Sequence, residues 1–283
     1  LTSRSHKGLL LIALGIYAIQ PLLQIVRFRW MLRLQNLRIS WGGAAAICFV
    51  GNFYSCVMLG MTGGDIIRAA YLMRDKPSRH SGLVAIALDR LTGMAGMFLL
   101  AGAAGLAIPI KDPTVAYAAR LSLVMFAGIV ALFAAVTGWQ RVKQLLGQLP
   151  LGDHLQRLYE AASVGRRGWP VLLAAVGLTI VLQAGSMASF SVAAVALGMQ
   201  PVWQLYFVCV PVALVVAAIP IVPVGAGTLE AAMVFLLAGR AGSVGQVVGL
   251  AFAMRIIQMT WALPGGLLSL LRPASVLRVA VEE

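Results

Sequence analysis

Two short polar breaks stand out in an otherwise apolar chain. One is Met61-Thr62-Gly63-Gly64-Asp65-Ile66-Ile67-Arg68; the other is Pro223-Val224-Gly225-Ala226-Gly227-Thr228-Leu229-Glu230. Each runs through glycines into an acid, and an arginine follows that acid. The spacing is the same in both, Asp65 to Arg90 and Glu230 to Arg255. Carboxylates and guanidinium groups at matched distances can neutralise one another in a low-dielectric setting, or the arginines can hold a phosphate. An acid in the first turn of a helix caps it, and the same helix N-terminus can instead receive an anionic headgroup. Arg90 and Arg255 therefore read either as phosphate ligands or as members of structural ion pairs. Asp65 and Glu230 read as caps or pair members, with proton or ion coupling as a further role. Gly63, Gly64, Gly225 and Gly227 let backbone approach closely in either case. Asp65 and Arg68 lie one helical turn apart and are placed to pair. Asp89 and Arg90 point about 100° apart on a helix, so the two cannot face the same partner. Asn52 and Tyr54 read as helix-packing or cavity polar groups.

The elements that must position these groups are membrane helices. The chain is 60% hydrophobic and 11% charged over 283 residues, with mean hydropathy +0.91. Its apolar runs are continuous rather than alternating, which excludes a barrel and a soluble domain. Gly8–Val26 is long enough to span, and Arg27, Arg29 and Arg33 beside Trp30 read as interface anchors after it. Gly42–Met61 is apolar, but the basic stretch after it (Arg68, Arg74, Lys76, Arg79) belongs inside by the positive-inside rule. The chain is therefore expected to turn back at Gly63-Gly64 as a re-entrant hairpin. Spans are expected at Ser81–Ile110, from Pro113 to about Trp139, and at Trp169–Leu197. Gln140–Arg167 reads as a basic cytoplasmic connector. Trp203–Val222 and Thr228–Gly239 are expected to form a second hairpin opening outward, because about 12 residues of helix reach only roughly 18 Å. Gly242–Leu271 spans back, placing Arg272, Arg278 and the C-terminus inside. The expected fold is thus an all-α polytopic membrane protein with about five full spans and two re-entrant helical hairpins. It forms an inverted-topology repeat: repeat 1 over about 8–110, a connecting span and connector over about 113–167, repeat 2 over about 169–271. Such repeats serve alternating access to a midplane site. This topology puts Leu1 outside and expects a span upstream of it.

Other function classes find little footing. The net charge of +13 fits basic loops against anionic lipid headgroups rather than nucleic acid. Cys48, Cys56 and Cys209 sit in apolar runs and read as small buried hydrophobes, not metal ligands. His6, His80 and His154 fall at the edges of the runs, far in sequence from Ser186 and Ser189, so no catalytic set is expected. No nucleotide fingerprint is present, and no cofactor or metal is expected. Trp169, Trp203 and Trp261 read as interfacial belt residues.

These motifs resemble a known family. Arg29-Trp30-Met31-Leu32, Gly51-Asn52-Phe53, Gly63-Gly64-Asp65-Ile66-Ile67-Arg68 and Asp89-Arg90-Leu91-Thr92-Gly93 are similar, in order, to the membrane region of the lysylphosphatidylglycerol synthase/flippase family. Ile219 to Glu230, Arg255, and Trp261 to Gly266 resemble its second signature. Leu59-Gly60-Met61 stands where the family carries a proline. The resemblance implies a lipid-handling module of a bacterial plasma (inner) membrane, without the soluble aminoacyl-transferase part. Taken with the residues, it leads to the expectation of a flippase-like translocase for a phosphate-bearing lipid, either an aminoacylated phospholipid or one linked to a polyprenyl phosphate. The alternative is a membrane partner that moves nothing and positions a glycosyltransferase or lipid-modifying enzyme, with the connector as its docking feature.

Overall fold

A computed structural model describes residues 4–58, 63–72, 79–107, 112–138, 168–218 and 227–271. Gly225, Arg74, Lys76, the connector Gln140–Arg167 and the C-terminal Arg272 and Arg278 lie outside these residues. The described residues form ten helices: α1 (Arg4–Tyr17), α2 (Ile19–Leu34), α3 (Trp41–Val57), α4 (Gly63–Leu72), α5 (Arg79–Ala107), α6 (Pro113–Gly138), α7 (Trp169–Ala196), α8 (Trp203–Ala218), α9 (Thr228–Leu237) and α10 (Val244–Leu271).

Among the described residues, five stretches are long and apolar enough to cross a membrane: Lys7–Leu34, His80–Ala107, Pro113–Ala135, Trp169–Ala196 and Val244–Leu271. The first corrects the expected span. It does not end at Val26 but continues through the arginines to Leu34. Pro21 explains its one interruption at Ala18, since proline offers no N–H and its ring crowds the carbonyl of the preceding turn. The chain passes from α1 to α2 through a single turn there.

The short helices pair as two hairpins. In the first, Gly64 lies against Gly51 and Ser55 while Arg68 reaches back to Cys48, so α3 and α4 run antiparallel. In the second, the Cys209 thiol on α8 lies 3.9 Å from the Leu236 carbonyl on α9. The hairpins open toward opposite ends of the bundle. Leu72, at the end of α4, packs on Gly82 near the start of α5. Arg240, just beyond α9, pairs with Asp112 past the other end of α5.

Packing is reciprocal between the two halves. α3 packs on α10 as α8 packs on α5; α4 packs on α5 as α9 packs on α10; α2 packs on α5 as α7 packs on α10. The first and fourth long helices meet antiparallel along their lengths, through Ala13–Ser189, Arg27–Thr179 and Leu34–Gly168. Helices α4 and α9 are equal in length, and the sequence interval between their starts equals that between the starts of α5 and α10. Two apolar clusters fill the bundle, each drawing on both halves. Phe28, Met31, Leu32 and Ile47 anchor one; Phe190, Tyr206, Met233, Leu250 and Met254 anchor the other. Lipid offers no hydrophobic drive between helices, so close glycine contacts and polar bonds do more of the joining. The lipid-facing sides carry exposed apolar residues such as Leu106, Phe235, Ile256 and Leu270.

Candidate functional site

Each hairpin tip carries one acid, and each acid meets the arginine that follows it at the shared spacing. Asp65 binds Arg90 through Nε, and Glu230 binds Arg255 Nη2 at 2.8 Å. The pairs match in depth and exposure. Both arginines stand equally far into their helices, with side chains 40% and 41% exposed against 15% and 13% for the acids. Glu230 is also a helix cap, accepting a hydrogen bond from the Gly227 N–H at 3.0 Å. Gly227 makes that turn in the left-handed region, at φ +98°, which glycine adopts without penalty.

Among the described residues, the first half adds a cluster that the second lacks. Asp65 also accepts from Arg68 Nη1 at 3.4 Å. Arg68 is buried, bonds Asn52 Oδ1 at 2.8 Å, and leaves its Nε packed on Gly51 without a hydrogen-bond partner among the described residues. Asn52 in turn donates to Gln24 Oε1 at 2.9 Å. The position equivalent to Arg68 in α9 is Met233.

Asp89 and Arg90 take different partners, as their angular separation on α5 requires. Arg90 turns to Asp65, whereas Asp89 receives two bonds from Arg27, Nε to Oδ1 at 2.8 Å and Nη2 to Oδ2 at 3.1 Å. Arg27 Nη1 donates to Thr179 Oγ1 on α7 at 2.9 Å, and Gly93 leaves room for the guanidinium. Arg27 is therefore not an interface anchor: it is 7% exposed and holds three helices together. Arg29 is also buried, bonding the Ile39 carbonyl and lying 4.1 Å from the Trp41 ring centre.

These groups border a cavity of about 240 Å³ between the halves. Arg27, Arg68, Arg90, Asp89 and Asn52 line it, joined by Gln20, Gln24, Gln183, Ser186 and Gln258. Gly63 and Gly64 shape the hairpin beside it without lining it, and Glu230 and Arg255 lie off it in this conformation. Two expectations are corrected here. Cys56 is exposed and lines the cavity rather than packing as a buried hydrophobe. Trp261 faces the cavity and donates Nε1–H to the Leu14 carbonyl at 2.9 Å, so it is not a belt residue. Trp169 and Trp203 are exposed at 59% and 52%. The sequence signal for the cavity glutamines is a lone amide within an uncharged span, such as Gln183 in Trp169–Ala196.

The description "Lysylphosphatidylglycerol synthase TM region" is that of a family whose profile matches residues 1–265. The chain belongs to this family. It is accordingly an integral membrane protein of a family associated with lipid handling. Comparison with curated proteins and with solved structures finds no match. The motifs that carry the resemblance fall on the tips and the cavity wall of this family member: Gly63 to Arg68 heads α4, Asp89 to Gly93 crosses the cavity on α5, and Trp261 to Gly266 lies where α10 meets α3.

Away from the cavity, Asp112 joins the α5–α6 connection to the α9–α10 turn. Arg240 donates to it from Nε at 2.5 Å and Nη2 at 3.3 Å. The Arg240 hydrogen bond, then the backbone N–H groups of Val115 and Thr114, hold the Asp112 carboxyl below its usual value. A depressed carboxyl pKa gives a contribution present above the unfolded value and lost as pH falls through the folded one. Hydrogen exchange around Gly239–Ser243 is thus expected to rise on acidification below the ordinary carboxylate range. Asp112→Asn should show the raised exchange already at neutral pH.

Proposed function

We propose that this protein is a lipid translocase that passes the headgroup of a phosphate-bearing lipid through the central cavity while the acyl tails stay in the bilayer. The observation that carries the reading is the pair of matched acid–arginine contacts at the tips of two hairpins that open toward opposite ends. Charged groups at membrane depth are costly and commonly mark a pathway. A phosphodiester competes with Asp65 for Arg90, because a guanidinium binds carboxylate and phosphate by the same forked geometry. Releasing the acid frees the α4 tip to shift. In the opposite conformation Arg255, now off the cavity, takes the place of Arg90. The two hairpins exchange roles, as inverted repeats do in alternating access. The residues are suited to binding rather than bond-making, so no reaction step is assigned. The setting we propose is the bacterial plasma (inner) membrane with the C-terminus in the cytoplasm, the side to which the basic residues of the loops belong.

Headgroup-labelled phosphatidylglycerol in proteoliposomes tests this. A charge-assisted hydrogen bond contributes about 1.5–3 kcal/mol, so Arg90→Ala and Arg255→Ala are each expected to slow transfer by about ten- to hundredfold. Unchanged rates in folded variants rule out the role given to the arginines.

A further inference from the structure

The charge and hydrogen-bond inventory of the cavity narrows the headgroup. Among the described residues, the guanidinium groups of Arg27, Arg68 and Arg90 and the carboxylate of Asp89 line the cavity, Asp65 pairs with Arg68 and Arg90 without lining it, and the Glu230–Arg255 pair is neutral in itself. One positive charge is left over. All four carboxylate oxygens are already engaged: Arg27 takes both of Asp89, Arg68 takes Oδ1 of Asp65, and Arg90 takes Oδ2. An ammonium group entering here would have to share carboxylate oxygens with guanidinium groups and would meet an excess of like charge, which disfavours it in a low-dielectric site; Asp65 keeps Arg68 as a partner even when a phosphate takes Arg90. Neutral donors and acceptors, by contrast, are plentiful. Gln20, Gln183 and Gln258 line the cavity from α2, α7 and α10. Their side chains make no hydrogen bond among the described residues. Carboxamides that both donate and accept suit hydroxyl groups.

Deepening the reading of this cavity as a headgroup site, we infer that it selects an anionic phosphodiester lipid whose headgroup carries hydroxyls and no cation, and that it disfavours an aminoacylated phospholipid. The phosphate meets the uncancelled positive charge, and the polyol or sugar hydroxyls meet the three amides. The lipid in the family's name carries the two ammonium groups of its lysyl ester, so this member differs from that name in the chemistry of its cavity.

Binding tests this apart from transport. The full chain in detergent is titrated with short-chain phosphatidylglycerol and with its lysyl ester, each competing against a labelled phosphatidylglycerol. Phosphatidylglycerol is expected to bind at least tenfold more tightly. Gln183→Glu places a spare carboxylate in the cavity and is expected to narrow or reverse that preference; Gln258→Glu does the same from α10 if the first variant does not fold. Equal affinities, a preference for the lysyl ester, no binding of either lipid, or a preference that neither substitution moves would overturn the assignment. A preserved preference with no transfer of any lipid in proteoliposomes would overturn the translocase reading and leave the selectivity standing.

Discussion

Replacing Arg27 with alanine is expected to destabilise the protein by about 3–5 kcal/mol, the range for removing one partner of a buried ion pair. The side chains of Arg27 and Asp89 are 8% and 4% exposed, so Asp89 would be left charged without its guanidinium partner in a site largely shut off from bulk solvent. Thr179 would lose its donor as well, and the junction of α2, α5 and α7 would lose its polar tie. Thermal unfolding in detergent, followed by tryptophan fluorescence, reads the effect. Changing Arg27 to Met and Asp89 to Leu together removes both charges and is expected to recover most of the loss, since two apolar groups of similar size leave nothing unpaired. If Arg27→Ala alone melts like the wild type, the pair is not buried as described.

The second large effect comes from two glycines where backbones meet. A methyl group on Gly64 would lie 2.1 Å from both the Gly51 carbonyl oxygen and the Ser55 hydroxyl; one on Gly265 would lie 1.9 Å from the Phe49 carbonyl oxygen. Carbonyl oxygens within a helix cannot swing aside, so the helices must separate. Overpacking of this kind costs about 1–3 kcal/mol. In Gly64→Ala the displacement also draws Asp65 from Arg90, so transfer is expected to fall more than stability alone implies. Gly265→Ala is expected to separate α3 from α10, the contact that joins the first hairpin to the second half. Gly177→Ala is the control, because nothing lies within 4 Å of its added methyl. It is expected to melt at or slightly above the wild-type temperature, alanine being the better helix former. A Gly64→Ala protein as stable and active as Gly177→Ala would mean that α3 and α4 do not pack as a tight hairpin.

The sequence carried the larger plan because charge is scarce in it. With so few acids, two glycine breaks each followed by an arginine at one spacing stand clear of the background, and these contacts became the two tip pairs. The short reach of the segment after Thr228 likewise foretold a hairpin. Arg27 was hidden for a physical reason. In Arg27-Phe28-Arg29-Trp30 an arginine beside aromatics is the pattern of a membrane interface, and only the rotation of α5 that aims Asp89 at α2 distinguishes a buried pair from it. Cys56 and Trp261 were misread similarly: composition says that such residues suit an apolar setting, but not which helix face borders a cavity. Glutamines inside spans needed the same tertiary knowledge, since one amide has no periodicity to announce it.

The proposed transport requires one cavity served in turn from both sides of the membrane, and a native residue reports on it. Cys56 is exposed in the cavity, whereas Cys48 and Cys209 are buried. A membrane-impermeant thiol reagent, applied to oriented vesicles containing phosphatidylglycerol from one face and then, in a separate sample, from the other, measures access directly. Cys56 is expected to be labelled from both faces, and a Cys56→Ser protein from neither. Labelling of Cys56 from one face only, in vesicles where lipid is available to turn over, would contradict alternating access through this site.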